Sequence, residues 1–110
     1  MSKTSRVRFE IRLPIYYNDG KEIDTEQHEQ TINEIYEKFG AFTFLTLTEG
    51  SWRNPETNES YREKMGGFFI DVDKEKLDDA IVFFKQHKEI WKERFKQQEI
   101  YIVHYEIHVI

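Results

Sequence analysis

The stretch Ile100-Tyr-Ile-Val-His-Tyr-Glu-Ile-His-Val-Ile110 reads as a β-strand with two unlike sides, and the side it turns inward decides the fold. Successive side chains on a strand point oppositely. One side carries Tyr101, Val103, Tyr105, Ile107 and Val109, while the other carries Ile100, Ile102, His104, Glu106, His108 and Ile110. The apolar first set is expected to face the core. That choice turns His104, Glu106 and His108 outward.

Working back to the start of the chain, residues 7–15 alternate strictly, with Val7, Phe9, Ile11, Leu13 and Ile15 opposed to Arg8, Glu10, Arg12 and Pro14. This is a half-buried strand. Tyr16-Tyr-Asn-Asp-Gly20 supplies turn chemistry, and Asp24 with Gln27 resembles a capping box. Ile32, Ile35, Tyr36 and Phe39 then recur at helical spacing with His28 one turn earlier, and Gly40 suits the left-handed position past a helix end. The spacing predicts a helix over 25–39. Residues 41–47 and 66–72 read as strands. Between them, 48–64 contains Asn54-Pro55 and Asn58 as a reversal, with Trp52 and Tyr61 placed about symmetrically, so an extended hairpin arm with cross-strand aromatics is predicted. Asp73 is the expected cap of a second helix over 74–98, whose apolar positions include Leu77, Ala80, Ile81, Phe84, Trp91 and Phe95. Its length, about 37 Å if unbroken, exceeds that of the strands. A break near His87-Lys88, or an overhanging Trp91/Phe95 end, is therefore expected. Phe83 and Ile90 widen the stripe and point to helix or subunit contact.

Composition bounds the rest. The 110 residues, 15% of them aromatic, suit a single domain (1–110) with an aromatic core. A net charge of −5 gives no general attraction to nucleic acid or anionic lipid. Absence of cysteine excludes disulfides and thiolate chemistry and fits a reducing compartment. The polar start, Met1-Ser-Lys-Thr-Ser-Arg6, has no signal-peptide or membrane-spanning character, so a cytoplasmic protein is expected.

The order β-α-β-β-α-β resembles the ferredoxin-like α+β sandwich, in which an antiparallel sheet ordered 4-1-3-2 carries two helices on one face. Within it the layout is similar to the PII-like signalling proteins, which also project an arm between strands two and three. Their Gly-rich nucleotide-binding stretch is replaced here by Lys96-Gln-Gln-Glu99. Dimeric α+β-barrel proteins, which pair their sheets face to face and many of which are small enzymes, are the other similar group; a homo-oligomer, dimer or trimer, is expected here.

With strand four beside strand one, Arg8, Glu10, Arg12, His104, Glu106 and His108 are expected to share the open face. This forms either a salt-bridged surface or a charged pocket in which Arg8 and Arg12 hold an anionic small molecule. His104 and His108 stand about 13 Å apart on a strand, too far to bind one metal together; neither metal nor cofactor is expected. On the arm, Trp52, Arg53, Tyr61 and Arg62 are of types enriched in binding hot spots and mark a protein-contact surface. Lys64-Met-Gly-Gly-Phe-Phe-Ile-Asp-Val72 has some likeness to an RNA-recognition strand, but strand one shows Arg8, Glu10 and Arg12 where that fold uses aromatics. The leading expectation is an oligomeric binding or regulatory module. A small dimeric enzyme with a His/Glu/Arg-lined cavity is the alternative, and RNA binding is disfavoured.

Overall fold

The computed structural model describes residues 5–110, except for the side chains of Arg62 and Glu63. Its elements follow the order β1 (Ser5–Pro14), α1 (Thr25–Phe39), β2 (Thr43–Arg53), β3 (Ser60–Asp73), a 3-10 turn (Lys74–Lys76), α2 (Leu77–Arg94) and β4 (Tyr101–His108). The fold is a mixed α+β arrangement of one antiparallel sheet and two helices. From edge to edge the sheet runs β2-β3-β1-β4.

Strand β1 buries alternate residues because it is central and covered on one face only. Val7, Phe9, Ile11 and Leu13 lie opposite Val72, Ile70, Phe68 and Gly66 of β3 and join them beneath the helices. The Phe9 ring stacks on Phe84 of α2 at 4.8 Å, and Phe84 stacks in turn on Phe39 of α1 at 5.4 Å. These rings tie both helices to the same sheet face.

Helix α1 ends as its sequence indicates. Gly40 takes φ 71° and donates its N–H to the Tyr36 carbonyl, a left-handed cap that only glycine adopts without steric cost. At the other end the Asp24 side chain makes no capping bond; its backbone carbonyl accepts from Gln27 N–H instead.

Helix α2 departs from expectation at both ends. Asp73 caps nothing with its carboxylate, which lies 3.5 Å from Arg6, and a 3-10 turn precedes the helix. The helix runs unbroken past His87 and Lys88 but stops at Arg94, because Lys96 adopts φ 53°. Lys96 N–H bonds the Glu93 carbonyl and Gln97 N–H bonds the Lys92 carbonyl, the two bonds of a Schellman stop. The Trp91 and Phe95 end does not overhang: both side chains are fully buried, with Phe95 against His28. Phe83 is buried against Phe39 and His87, whereas Ile90 remains exposed.

The helices are also joined by one polar cluster. Arg94 grips both oxygens of Glu34 at 2.7 and 2.9 Å and donates to Thr31 at 2.7 Å, while the Trp91 indole N–H donates to Glu34 at 2.9 Å. No helix among the described residues is long and apolar enough to cross a membrane.

Candidate functional site

The pairing of β1 with β4 overturns the expected face assignment. Phe9 lies opposite His104, Val7 opposite Glu106 and Ile11 opposite Ile102, so the histidine side of β4 belongs to the helix-bearing face. The His104 ring packs 5.1 Å from Phe9, a core residue. Tyr101, Val103, Tyr105 and Ile107 therefore share the open face with Arg12, Glu10, Arg8 and Arg6. The six-residue constellation splits across two faces.

The reason lies in where the helices end. Ile100 and Ile102, at the start of β4, are the residues packed into the core, and they fix the register for the whole strand. His104, Glu106 and His108 continue on that side but are exposed. They form a separate edge cluster: Glu106 accepts from Ser5 at 3.1 Å, pairs with Lys74 at 3.2 Å and lies 3.6 Å from His108. The Lys74 and Ser5 bonds hold the Glu106 carboxyl below its ordinary range. Among the described residues, no three His, Asp or Glu side chains converge in a way that would hold a metal ion.

The open face carries a different set of groups. Arg8 lies over the Phe69 ring at 3.9 Å and donates twice to the Asp71 carboxylate, at 2.8 and 3.1 Å. Those hydrogen bonds keep it charged, above its ordinary pKa despite partial desolvation. The Tyr105 hydroxyl donates to Glu10 at 2.5 Å, which raises the phenol's pKa and keeps it a donor. Arg12 stands between Gly67 of β3 and Tyr101 of β4. The Arg12 guanidinium reaches across β3 to the Thr48 hydroxyl of β2 at 3.3 Å, and it lies 5.6 Å from the Tyr101 ring. Tyr101 is 53% exposed and Tyr105 is 42% exposed, so two aromatic faces are available to a ligand. Sequence reasoning missed both tyrosines; it is the packing of Ile100, and in part Ile102, into the core that turns them to the open face.

The arm matches its reading. Strands β2 and β3 pair through Trp52 and Tyr61, whose rings stack at 4.8 Å, and the reversal lies between Arg53 and Ser60. Tyr61 also donates to Glu59 at 2.6 Å. Arg53 is exposed beside the stack, and the Arg62 side chain lies outside the described residues. A double-mutant cycle on Trp52→Ala and Tyr61→Ala is expected to give a coupling of about 0.5–1.5 kcal/mol in unfolding free energy. Strict additivity would show that the stack adds nothing beyond its separate rings.

No family model matches the chain, and no curated protein matches it. Among solved structures it is similar to one described as a phage SAM lyase in complex with S-methyl-5'-thioadenosine. The TM-score is 0.64 at 14% identity, and the likeness covers 94% of this chain and 90% of that one. At that identity the likeness is one of fold: a small α+β protein matched over nearly its whole length.

Proposed function

We propose that the chain is a small enzyme of the S-adenosylmethionine-cleaving kind, taking a sulfonium nucleoside on the open face of its sheet. The observation that carries the reading is the composition of that face, where exposed Tyr101 and Tyr105 flank Glu10. A purine ring finds aromatic surface there, and a sulfonium cation is attracted both by a carboxylate and by the faces of aromatic rings. The fold-level likeness to a lyase bound to a thioether nucleoside supports the same reading.

The chemistry fits such a surface. Cleavage breaks a carbon–sulfur bond and leaves its electron pair on sulfur, so the cation becomes the neutral S-methyl-5'-thioadenosine. A lyase takes up no water, and the vacated carbon is closed by the substrate's own carboxylate oxygen, whose electron pair forms the new C–O bond of an amino-lactone, so atoms and charge balance without a co-reactant. The protein's part is to hold the substrate in the reactive geometry and to exclude water. A homo-oligomer would serve the second need, because a flat sheet face encloses a ligand only when another copy covers it.

The test is incubation of the protein with S-adenosylmethionine and chromatographic detection of S-methyl-5'-thioadenosine. Turnover that falls at least tenfold in Glu10→Gln is the expected result. Absence of both turnover and calorimetric binding at millimolar ligand would overturn the proposal. The second reading, an oligomeric binding or regulatory module, is favoured by the exposed Trp52, Arg53 and Tyr61 of the arm. It gains if the nucleoside binds without being consumed.

A further inference from the structure

We propose that Arg12 and Thr48 form a carboxylate-binding subsite on the open face, and that Arg8 takes no part in it. This rests on the reading of that face as a ligand surface and names which end of the ligand it receives.

The two arginines look equivalent in sequence, both on the same side of β1, but their surroundings differ. Arg8 is already neutralised: two of its donors are on Asp71, and its plane is packed on Phe69. An incoming anion would have to displace a bidentate carboxylate, the strongest partner a guanidinium finds in a protein. Among the described residues Arg12 has no such partner: its one side-chain hydrogen bond goes to the neutral Thr48 hydroxyl at 3.3 Å, and no Asp or Glu lies within ion-pair distance of it. A guanidinium has five N–H donors in a planar fork, so most of this group's capacity for a carboxylate is uncommitted.

The neighbours complete the subsite. The Tyr101 ring walls one flank of the guanidinium, with its centroid 5.6 Å away. As a donor the Thr48 hydroxyl makes a long 3.4 Å bond to the Met65 carbonyl, which an anion's oxygen outcompetes. Glu10 stands two residues away on the same side of β1, about 7 Å along the strand. A cationic centre beside Glu10 and a carboxylate at Arg12 are the two poles of a dipolar ligand. The ligand class is therefore an amino-acid derivative with a second positive centre, rather than a simple anion. Phosphate esters are disfavoured, because Glu10 and the overall charge of −5 repel them.

Two measurements test this. Calorimetry on the full chain compares S-adenosylmethionine with its decarboxylated analogue. The native protein is expected to prefer the carboxylate by at least tenfold, and Arg12→Gln to bring the two ligands within twofold while S-methyl-5'-thioadenosine binding is unchanged. A preference retained in Arg12→Gln, or absent in the native protein, overturns the subsite. If no nucleoside binds, the proposed function fails on its own account, and titration with S-methyl-L-methionine, which carries a carboxylate and a sulfonium, decides the subsite separately. Saturating movement of the Arg12 Nε–Hε resonance with Arg8 unmoved supports it; movement of Arg8 alone, or of neither, ends it. Circular dichroism of Arg12→Gln, with Arg12→Lys as a second variant, shows whether any loss reflects unfolding.

Discussion

Phe9→Ala is expected to destabilise the protein by about 4 kcal/mol, the largest effect of any single truncation proposed for this fold. Phe9 is 1% exposed and sits at the centre of the sheet, with Ile70 beside it on β3, Phe84 of α2 stacked above and His104 of β4 alongside. Removing the ring leaves a void whose walls belong to three strands and a helix, so no single element can move to fill it. The cost combines the lost transfer energy of the ring with that cavity. Urea unfolding checks it: the midpoint should fall while the slope stays constant. If the variant does not fold at all, Phe9→Leu should still lose about 1 kcal/mol. A loss below that in Phe9→Ala would mean that β1 does not face the helices.

Glu34→Ala comes second, at about 3 kcal/mol. The Arg94 guanidinium is 9% exposed at its side chain, and Glu34 supplies its charge partner as well as the acceptor for Trp91 N–H. Removing the carboxylate strands a buried cation and an indole donor together, which costs more than the pair itself contributes. The same cluster gives a pH dependence. Burial raises the Glu34 pKa, but the Arg94 and Trp91 hydrogen bonds outweigh it and hold the group below its ordinary 4.5. A carboxyl depressed in the folded state contributes stability that is fully present above its unfolded pKa and lost as pH falls through the folded one. Stability should therefore begin to decline below about pH 4.5, and the decline should be shallower in Glu34→Gln. Parallel acid titrations of the two proteins would show the difference. Equal slopes would remove Glu34 from the account.

How much of this was legible in the residues differs from strand to strand. The alternation in β1 admits one answer, since Arg8, Glu10 and Arg12 cannot be the buried side while Val7, Phe9, Ile11 and Leu13 are available. Helix α1 and the aromatic pairing in the arm were likewise readable, because Gly40 and the Trp52/Tyr61 spacing each have a local cause. Strand β4 was not. Both of its sides begin with apolar residues, and the choice depends on how far the helices extend over the sheet, a tertiary fact with no local signature. The helix stop at Lys96 was hidden for a related reason. A left-handed cap on a lysine lacks the glycine that normally announces it. The open-face site inherited the β4 error, so its arginines and Glu10 were found while its tyrosines were not.

The hairpin formed by β2 and β3 runs well beyond the helical layer, and nearly every residue of β2 is solvent-exposed. Beyond Met65, where β3 no longer pairs with β1, its ladder is a two-stranded ribbon of residues 49–53 against 60–64, which in water is marginal by itself. Amides near the reversal between Arg53 and Ser60 should exchange with deuterium through local opening, orders of magnitude faster than those of β1, whose release requires the whole sheet to come apart. The molecule therefore combines a rigid body with a compliant projection that can change shape without disturbing the core. Proteases should nick that tip first and leave the remainder associated.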